Sequence, residues 1–390
     1  MGFATELKDL LKKNIREYGM YIALIIIMVI FSVLTKGTFI SARNISKLID
    51  ATGYIAVLAV GMTLILIIRH IDLSVGYVAG FLGAIAAILL TQFKLPVIVT
   101  IPVILLIGVV IGVFYGFLVA KLNMPAFVVS LAGMLIFRGA LLQATLKSGT
   151  IIIPNAGFNA LGNGYIPDLS ILPDLHFITL LLGAIAIVAL IISEAKTRAN
   201  KIRYNFEVVS TKIHVAKLIL MSLIIAYIAF ILAQFNGLSW TVVIVIVITG
   251  IYHFMTTRTV LGRHIYAVGG NPEAAKLSGI SVRYITYFVF GSMSMLAALS
   301  GILFTARLQS ATTTAGVGFE LDAIAAAYVG GVSTSGGIGK VTGSIIGAFV
   351  MASLTNGMNL MGIDISWQYI IRGIVLILAV LFDVTTRNKK

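Results

Sequence analysis

Cysteine is absent from the 390-residue chain, and charged residues make up only 11% of it. Without cysteine there is no disulfide framework, thiolate metal site, iron–sulfur cluster or cysteine nucleophile. Soluble globular proteins carry about 25% charged residues, and disordered chains combine high charge with low hydrophobicity. Hydrophobic residues instead form 59% of this chain, and its mean hydropathy is +1.07. The composition excludes an ordinary soluble enzyme and a disordered chain, and it favours a membrane protein.

Long apolar runs follow one another along the chain. A helix needs about 20 mostly apolar residues to cross a bilayer, and backbone groups in lipid must be bonded internally. The runs are continuous rather than alternating, which argues against a β-barrel. We therefore predict an all-α polytopic membrane protein with about twelve transmembrane segments, within a range of ten to twelve. The segments are Met20–Leu34, Tyr54–Ile68, Val75–Leu90, Pro96–Val119, Ala126–Thr145, Phe177–Ile192, Val215–Ala233, Trp240–Met255, Tyr284–Ala306, Asp322–Val332, Val341–Met361 and Trp367–Phe382.

The formal net charge of +14 is explained by the positions of lysine and arginine. With a cytoplasmic N-terminus, nineteen of the 28 basic residues fall in cytoplasmic gaps and six in outer gaps. The other three, Arg138, Lys217 and Arg372, lie inside spans. Cytoplasmic loops are enriched in lysine and arginine, so we predict that both termini are cytoplasmic. The charge therefore requires no nucleic-acid partner.

The gaps and termini define the organisation of the chain. One weak span, Asp322–Val332, is short and ends in Gly330–Gly331, which predicts a broken or half-helix near 318–332. The first run is not followed by a small-x-small cleavage site, so an uncleaved anchor is favoured over a signal peptide. The predicted parts are an interfacial amphipathic helix (1–17), a transmembrane domain (18–383) with an extracytoplasmic loop (147–176) and a cytoplasmic loop (256–283), and a basic cytoplasmic tail (384–390).

Catalytic motifs are missing from the sequence. No two of its five histidines have the three- or four-residue spacing of a metal pair, and there is no Gly-x-Ser-x-Gly elbow. The glycine-rich stretch Ser335–Val341 lacks the first glycine and the final Ser/Thr of a phosphate loop, so a tight turn is expected there. The sequence thus predicts no catalytic residue, no metal ligand and no cofactor bound by this chain.

The cytoplasmic loop contains a short, well-delimited helix. Asn271 is suited to cap it, and Pro272 to occupy its first position. Glu273 then lies in the first turn, where the helix dipole favours an anion, and Gly279 ends the helix. The small residues between them form a surface on which another protein can pack.

This loop resembles the coupling loop of ABC importer permeases, whose pattern Glu-Ala-Ala-x-x-x-Gly is matched by Glu273, Ala274, Ala275 and Gly279. The longer string from Leu261 to Ile280 is similar to the monosaccharide branch, the permeases for ribose, xylose, galactose and multiple sugars. Further matches to that branch are the turn containing Asp72, Ser74 and Gly76, the span at 125–139 and the broken span at 319–331.

The resemblance extends over about residues 50–382, except roughly 149–237. That stretch is similar to the longer xylose and multiple-sugar permeases and implies an inserted span pair at 176–233. One departure is Arg69, where many members of the branch have glycine. The sequence leaves open whether a tight turn precedes Ile71.

The resemblance implies partners and a role for the loop. Its residues Gly269, Gly270, Asn271, Glu273, Ala274, Ala275 and Gly279 would dock on a separate ATPase that binds ATP and magnesium. An extracytoplasmic binding protein would deliver the monosaccharide to this chain in a bacterial plasma membrane, and the resemblance leaves xylose, galactose or several sugars open. A homodimer is expected, because the chain has no internal duplication that could supply both halves of a transporter.

Polar residues within spans are candidates for the sugar route, because charges in the bilayer usually face protein or water. Arg138 either lines that route or is a structural partner of helix carbonyls or of a carboxylate such as Asp72, Glu320 or Asp322. Gln143, Asn356 and Asn359 offer the modest hydrogen bonds that a neutral sugar requires, and the two asparagines share one helix face. Glu320 and Asp322 either cap the half-helix or receive the binding protein.

Two other classes of function remain to be weighed against an ATP-driven importer. An ion-coupled secondary sugar transporter would need buried carboxylates, but Asp72, Glu320 and Asp322 are all placed at span ends. A membrane enzyme would need paired acids, metal ligands or a nucleophile with its base, and the spans carry none.

Overall fold

The computed structural model describes residues 15–146, 148–169, 171–206 and 208–387, which form fifteen helices and two short strands. The helices are α1 (Ile15–Leu34), α2 (Ala42–Ile67), α3 (Val75–Thr91), α4 (Val97–Ala120), α5 (Ala126–Thr145), α6 (Ala156–Asn163), α7 (Phe177–Arg203), α8 (Thr211–Ala233), α9 (Trp240–Arg258), α10 (Val260–Gly270), α11 (Pro272–Leu277), α12 (Val282–Leu308), α13 (Phe319–Val329), α14 (Val341–Leu360) and α15 (Ile365–Arg387). The all-α class is confirmed. Most of the predicted interfacial helix at 1–17, and residues 388–390 of the basic tail, lie outside the described residues.

Nine of the described helices are long and apolar enough to cross a membrane, namely α2, α4, α5, α7, α8, α9, α12, α14 and α15. Two shorter apolar helices are Gly19–Leu34 and Val75–Thr91. Each of the twelve predicted segments coincides with a helix. The predicted and observed bounds differ most at two helix ends. Helix α2 begins at Ala42 rather than Tyr54, and α7 continues to Arg203 rather than Ile192. Good helix-forming residues carry α7 past its apolar run.

Helix α13 is the half-helix predicted near 318–332. It has only 11 residues, about 16 Å of helix, which is too short to cross a bilayer. It starts after Gly318 and is followed by Gly330 and Gly331, and both Gly318 and Gly331 have positive φ. The chain therefore enters and leaves α13 by turns.

The core of the molecule is built around α2 and α12. In their apolar windows, 83% and 78% of the residues are buried, against 11% in α7 and α8 and 6% in α15. Helices α3 and α14 pack on this central pair, and α4 lies along α12. The outer helices thus expose long apolar faces that suit lipid or another chain rather than water.

Residues 148–169 and 171–176, in the predicted extracytoplasmic loop, form more than a plain loop. They contain β1 (Thr150–Ile152) and α6, and β1 pairs antiparallel with β2 (Ser310–Thr312), with Thr150 opposite Thr312. Asn163 of α6 donates to the carbonyl of Ala306 at 2.9 Å. These contacts hold the segment against the end of α12.

Asp168 connects the same segment to the start of α7. Its carboxylate accepts the backbone N–H groups of Ile178 at 3.0 Å and Phe177 at 3.2 Å, and it lies 3.5 Å from Nδ1 of His176. The Ile178 bond is the largest cause that holds the pKa of Asp168 below its ordinary value of 3.8. The ionised carboxylate is thus the form that fits here.

Candidate functional site

The short helix of the cytoplasmic loop forms as its capping residues predict. Oδ1 of Asn271 accepts the N–H of Ala274 at 3.1 Å, and Pro272 occupies the first turn together with Glu273. At the other end Gly279 has φ +81° and donates to the carbonyl of Lys276 at 3.0 Å. Ile280 donates to the carbonyl of Ala275 at 3.0 Å. The pair of bonds is a Schellman motif, which requires a left-handed residue at this glycine.

The exposure of α11 divides it into an anchored side and a free side. Ala275 is buried, with 4% of its surface exposed. Glu273, Ala274 and Lys276 are exposed, and Leu277 is 89% exposed. Leu277 therefore presents a nearly uncovered apolar side chain on the free side of α11. The sequence pattern included Leu277 in the helix, but only the structure singles it out.

The base of this loop is joined to two other loops. Gly269 packs so closely on the carbonyl of Ile67 and the N–H of Gly337 that a β-carbon at residue 269 would overlap both. Gly337 donates to the carbonyl of Ile67 at 2.8 Å, and the hydroxyl of Tyr266 donates to the carbonyl of Gly339 at 2.6 Å. We call this meeting point of residues 67–70, 266–270 and 336–339 the loop junction.

Arg69 is the central side chain of the loop junction. Its Nε donates to the carbonyl of Gly269 at 2.6 Å, and its Nη2 donates to the carbonyl of Gly270. These carbonyls belong to the last turn of α10, where helix carbonyls lack partners and a cation is favoured. Arg69 itself has φ +64°, so the tight turn left open by the sequence is formed without glycine. The departure of this residue from the family pattern was the one signal that pointed to it.

The turn containing Asp72, Ser74 and Gly76 leads into α3. Oδ1 of Asp72 accepts the N–H of Ser74 at 2.9 Å and its hydroxyl at 2.6 Å, an Asx-type turn. Asp72 is fully buried, and its Oδ2 has no hydrogen-bond partner among the described residues. A β-carbon at Gly76 would overlap Oε2 of Glu320 and the carbonyl oxygen of Gly316. The turn therefore packs directly on the start of α13.

The predicted route residues fall into two places. Arg138 and Gln143 are exposed on α5, and the Arg138 guanidinium lies 5.8 Å from the ring centre of Tyr77. Among the described residues Arg138 has no ion pair with Asp72, Glu320 or Asp322, so the carboxylate partner considered for it is not present. Both residues lie apart from the asparagines of α14.

Asn356 and Asn359 of α14 each bond to another helix. Asn356 and Asn44 of α2 exchange two side-chain hydrogen bonds, at 2.9 and 3.1 Å. Asn359 accepts from Nε2 of Gln368 in α15 at 2.7 Å. Asn44 and Gln368 were not identified from the sequence, because their partners are set by tertiary packing. Asn356 holds α14 to α2, whereas Asn359 is exposed at the surface.

The carboxylates of α13 are less accessible than a docking role requires. Both lie in the first turn, where the helix dipole favours an anion. Glu320 is 8% exposed, and Asp322 forms an ion pair with Arg372 of α15. These contacts argue against a surface for a binding protein. The capping interpretation rests on the dipole position alone, because the N-cap residue is Gly318 and has no side-chain cap bond.

Comparison with known proteins gives a consistent result. The family described as "Branched-chain amino acid transport system / permease component" matches residues 44–380. The chain is 38% identical to the xylose transport system permease protein XylH of Haemophilus influenzae, over 97% of this chain and 98% of that protein. It is 38% identical to XylH of Escherichia coli, over 96% and 93% respectively. No solved structure matches the chain.

The ribose-type relatives match almost as completely. The ribose import permease protein RbsC of Haemophilus influenzae is 34% identical, over 96% of this chain and 95% of that protein. The family match at 44–380 includes the cytoplasmic loop predicted at 256–283, the loop junction and α13. The branch inferred from the loop string is therefore confirmed.

Proposed function

Since the chain belongs to this family of transport-system permease components, we propose that it is the translocation subunit of an ATP-binding-cassette importer for a monosaccharide. The resemblance to xylose permeases over nearly the full chain makes D-xylose the first substrate to test. The observation that carries the proposal is α11, a capped helix with an exposed tip on a base fixed by the loop junction.

The chain is a multi-pass membrane protein of the bacterial inner membrane type, as its apolar helices and its similarity to transport-system permeases indicate. We place both termini in the cytoplasm and twelve helical segments in the membrane, with α13 as a half-helix that completes one crossing with the turns beside it. This arrangement puts α10 and α11 on the cytoplasmic side. It also agrees with the excess of lysine and arginine in the cytoplasmic gaps.

The energy source in this proposal is a separate ATPase that holds ATP and magnesium. The chain itself binds no cofactor and catalyses no reaction. The ATPase engages Glu273, Ala274 and Leu277 at the tip of α11, and its movement reaches the membrane helices through Gly269, Gly270 and Arg69. An extracytoplasmic binding protein delivers the sugar, and two copies of the chain form the transporter.

We place the sugar route and the contact with the second copy at two exposed polar surfaces, without dividing the two roles between them. One is the α5 surface with Arg138 and Gln143, and the other is the junction of α14 with α15 around Asn359. An arginine at the bilayer centre costs at least about 2.5–3.5 kcal/mol on insertion scales. Lipid is therefore the least favourable neighbour for both surfaces.

The proposal is tested by affinity purification from native membranes in mild detergent, with mass spectrometry of the bound proteins. The wild-type chain should recover an ATPase with a phosphate loop. The Glu273→Lys variant should still be present in the membrane but should no longer recover that ATPase. In cells, uptake of radiolabelled D-xylose should stop on ATP depletion and survive an ionophore at constant ATP. Uptake that collapses with the ionophore and survives ATP depletion would instead establish the ion-coupled alternative, which the comparisons do not support.

A further inference from the structure

A cavity of about 420 Å³ lies between the end of α14 and the start of α15. Small-molecule sites occupy roughly 300–1,000 Å³, so this volume is at the low end, where a single sugar ring belongs. Its polar lining comes from Thr355, Asn359, Gln368, Tyr369 and Arg372. Of these residues, Asn359 is one of the route candidates identified from the sequence.

The side chains of this cavity are fixed and yet keep free hydrogen-bonding groups. Nε2 of Gln368 donates to Oδ1 of Asn359 at 2.7 Å and to the carbonyl of Ile363 at 3.0 Å, which holds both amides in place. Among the described residues no hydrogen bond uses Nδ2 of Asn359 or Oε1 of Gln368. One is a donor and the other an acceptor, and a sugar hydroxyl can satisfy both.

Charge and ring geometry indicate a neutral ligand. Arg372 is paired with Asp322, so the cavity wall carries no unbalanced charge from this pair. The Tyr369 ring is 58% exposed, and the Arg372 guanidinium lies 5.9 Å from its centre. An exposed aromatic face beside paired polar groups suits a pyranose, whose C–H face packs on a ring while its hydroxyls bond to amides.

The position of the cavity argues against lipid as its occupant. Arg372 follows the start of α15 at Ile365 by seven residues, about 10 Å along the helix. An arginine paired with an aspartate at that depth needs water or protein around it, and the amides of Asn359 and Gln368 lie nearer the helix ends. The cavity therefore opens to an aqueous path or to a space enclosed by the second copy.

We propose that this cavity is a monosaccharide subsite on the translocation path, with Asn359 and Gln368 as hydrogen-bonding residues and Tyr369 as the stacking platform. The proposal rests on the function proposed above and deepens it. The subsite binds sugar weakly, because a path that held its substrate tightly would stall release.

Because this chain has no cysteine, an introduced cysteine is its single thiol, and labelling is read on this chain after it is separated from its partners. The full transporter, with its ATPase and binding protein, is reconstituted carrying Asn359→Cys and exposed to a membrane-impermeant thiol reagent. We expect labelling, and slower labelling when the binding protein is loaded with D-xylose. The matched control is Leu378→Cys on α15, which is 56% exposed but outside the cavity and apolar in its surroundings. No labelling at residue 359, or labelling that D-xylose does not slow, overturns the proposal.

Uptake kinetics give an independent readout with a matched aromatic pair. Tyr369→Leu should lower kcat/KM for D-xylose uptake about tenfold, which corresponds to roughly 1.4 kcal/mol. Trp367→Leu is the control, because Trp367 is 60% exposed on the same helix but does not line the cavity. Equal effects of the two substitutions would refute the stacking role.

The two proposals fail in different ways. If the wild-type transporter takes up none of D-xylose, D-ribose and D-galactose, the sugar function itself is wrong. If wild type takes up sugar while Asn359→Leu and Tyr369→Leu keep its kcat/KM at equal membrane levels, only the subsite is wrong.

Discussion

Replacing Arg69 should weaken the transmission of force from the ATPase while leaving the chain folded. The guanidinium is the side chain that ties the end of α10 to the turn after α2, through the carbonyls of Gly269 and Gly270. Helix α11 follows α10 directly, so Arg69 stands between the proposed docking helix and the central helix α2. Without the guanidinium, the end of α10 is no longer bonded to the turn after α2 through this side chain.

The size of the effect follows from two opposing contributions. A hydrogen bond from a charged donor contributes about 1.5–3 kcal/mol when buried, and exposure of Arg69 reduces this to roughly 1 kcal/mol for each bond. A non-glycine residue in the left-handed region costs about 1–2 kcal/mol. Arg69→Gly therefore loses the bonds and relieves the backbone, so its unfolding free energy should change little. Arg69→Ala loses the bonds and keeps the strain, so it should be destabilised by about 2 kcal/mol.

The assay compares sugar transported with ATP hydrolysed in proteoliposomes that contain the complete transporter. Both variants should show a several-fold fall in sugar per ATP, because both lose the guanidinium bonds. Arg69→Lys, which keeps the charge without the planar fork, should recover part of it. The reasoning is wrong if Arg69→Gly transports as much sugar per ATP as wild type. It is also wrong if the ratio follows the melting temperature rather than the presence of the guanidinium.

Three further outcomes follow from other contacts. Leu277→Ser should abolish recovery of the ATPase in pull-downs at an unchanged melting temperature, and normal recovery would show that the exposed leucine is not a docking residue. Asn44→Ala and Asn356→Ala should show a coupling of about 1–2 kcal/mol in a double-mutant cycle of thermal unfolding, whereas additive effects would deny that their two bonds stabilise the fold. Asp168→Asn should raise amide exchange at Ile178 near pH 6, because the ionised carboxylate that accepts this N–H is lost. The difference from wild type should narrow only below pH 3.8, because the pKa of Asp168 is lowered, and equal exchange at pH 6 or a difference that disappears above pH 3.8 would contradict this assignment.

Features fixed by neighbouring residues could be predicted from the sequence. The Asn271–Pro272 start and the Gly279 end of α11 follow from capping rules that involve four or five residues. The positions of the apolar helices follow from run length alone. For the same reason the half-helix α13 was visible as a short run closed by two glycines.

Features that depend on long-range packing could not be predicted. Asn44 and Asn356 are 312 positions apart, and strand β1 pairs with a segment about 160 residues later. The early start of α2 also depends on distant residues. Asp50 is buried in α2, where its carboxylate accepts hydrogen bonds from Ser239 and Tyr165. In the sequence alone, a polar residue such as Asp50 suggests a loop, because its distant hydrogen-bond partners are not apparent.

Two helices, α2 and α14, connect the loop junction to the region of the cavity. Helix α14 begins directly after the junction loop and carries Thr355 and Asn359 at its other end, about 30 Å away for 20 residues. Helix α2 ends at Ile67 in the junction, and near its start Asn44 is bonded to Asn356 of α14. Packed helices move as rigid bodies rather than stretch. A displacement of α11 transmitted by Arg69 would therefore shift α2 and α14 together and change the cavity at their far end, which is what a sugar subsite needs in order to open alternately to the two sides.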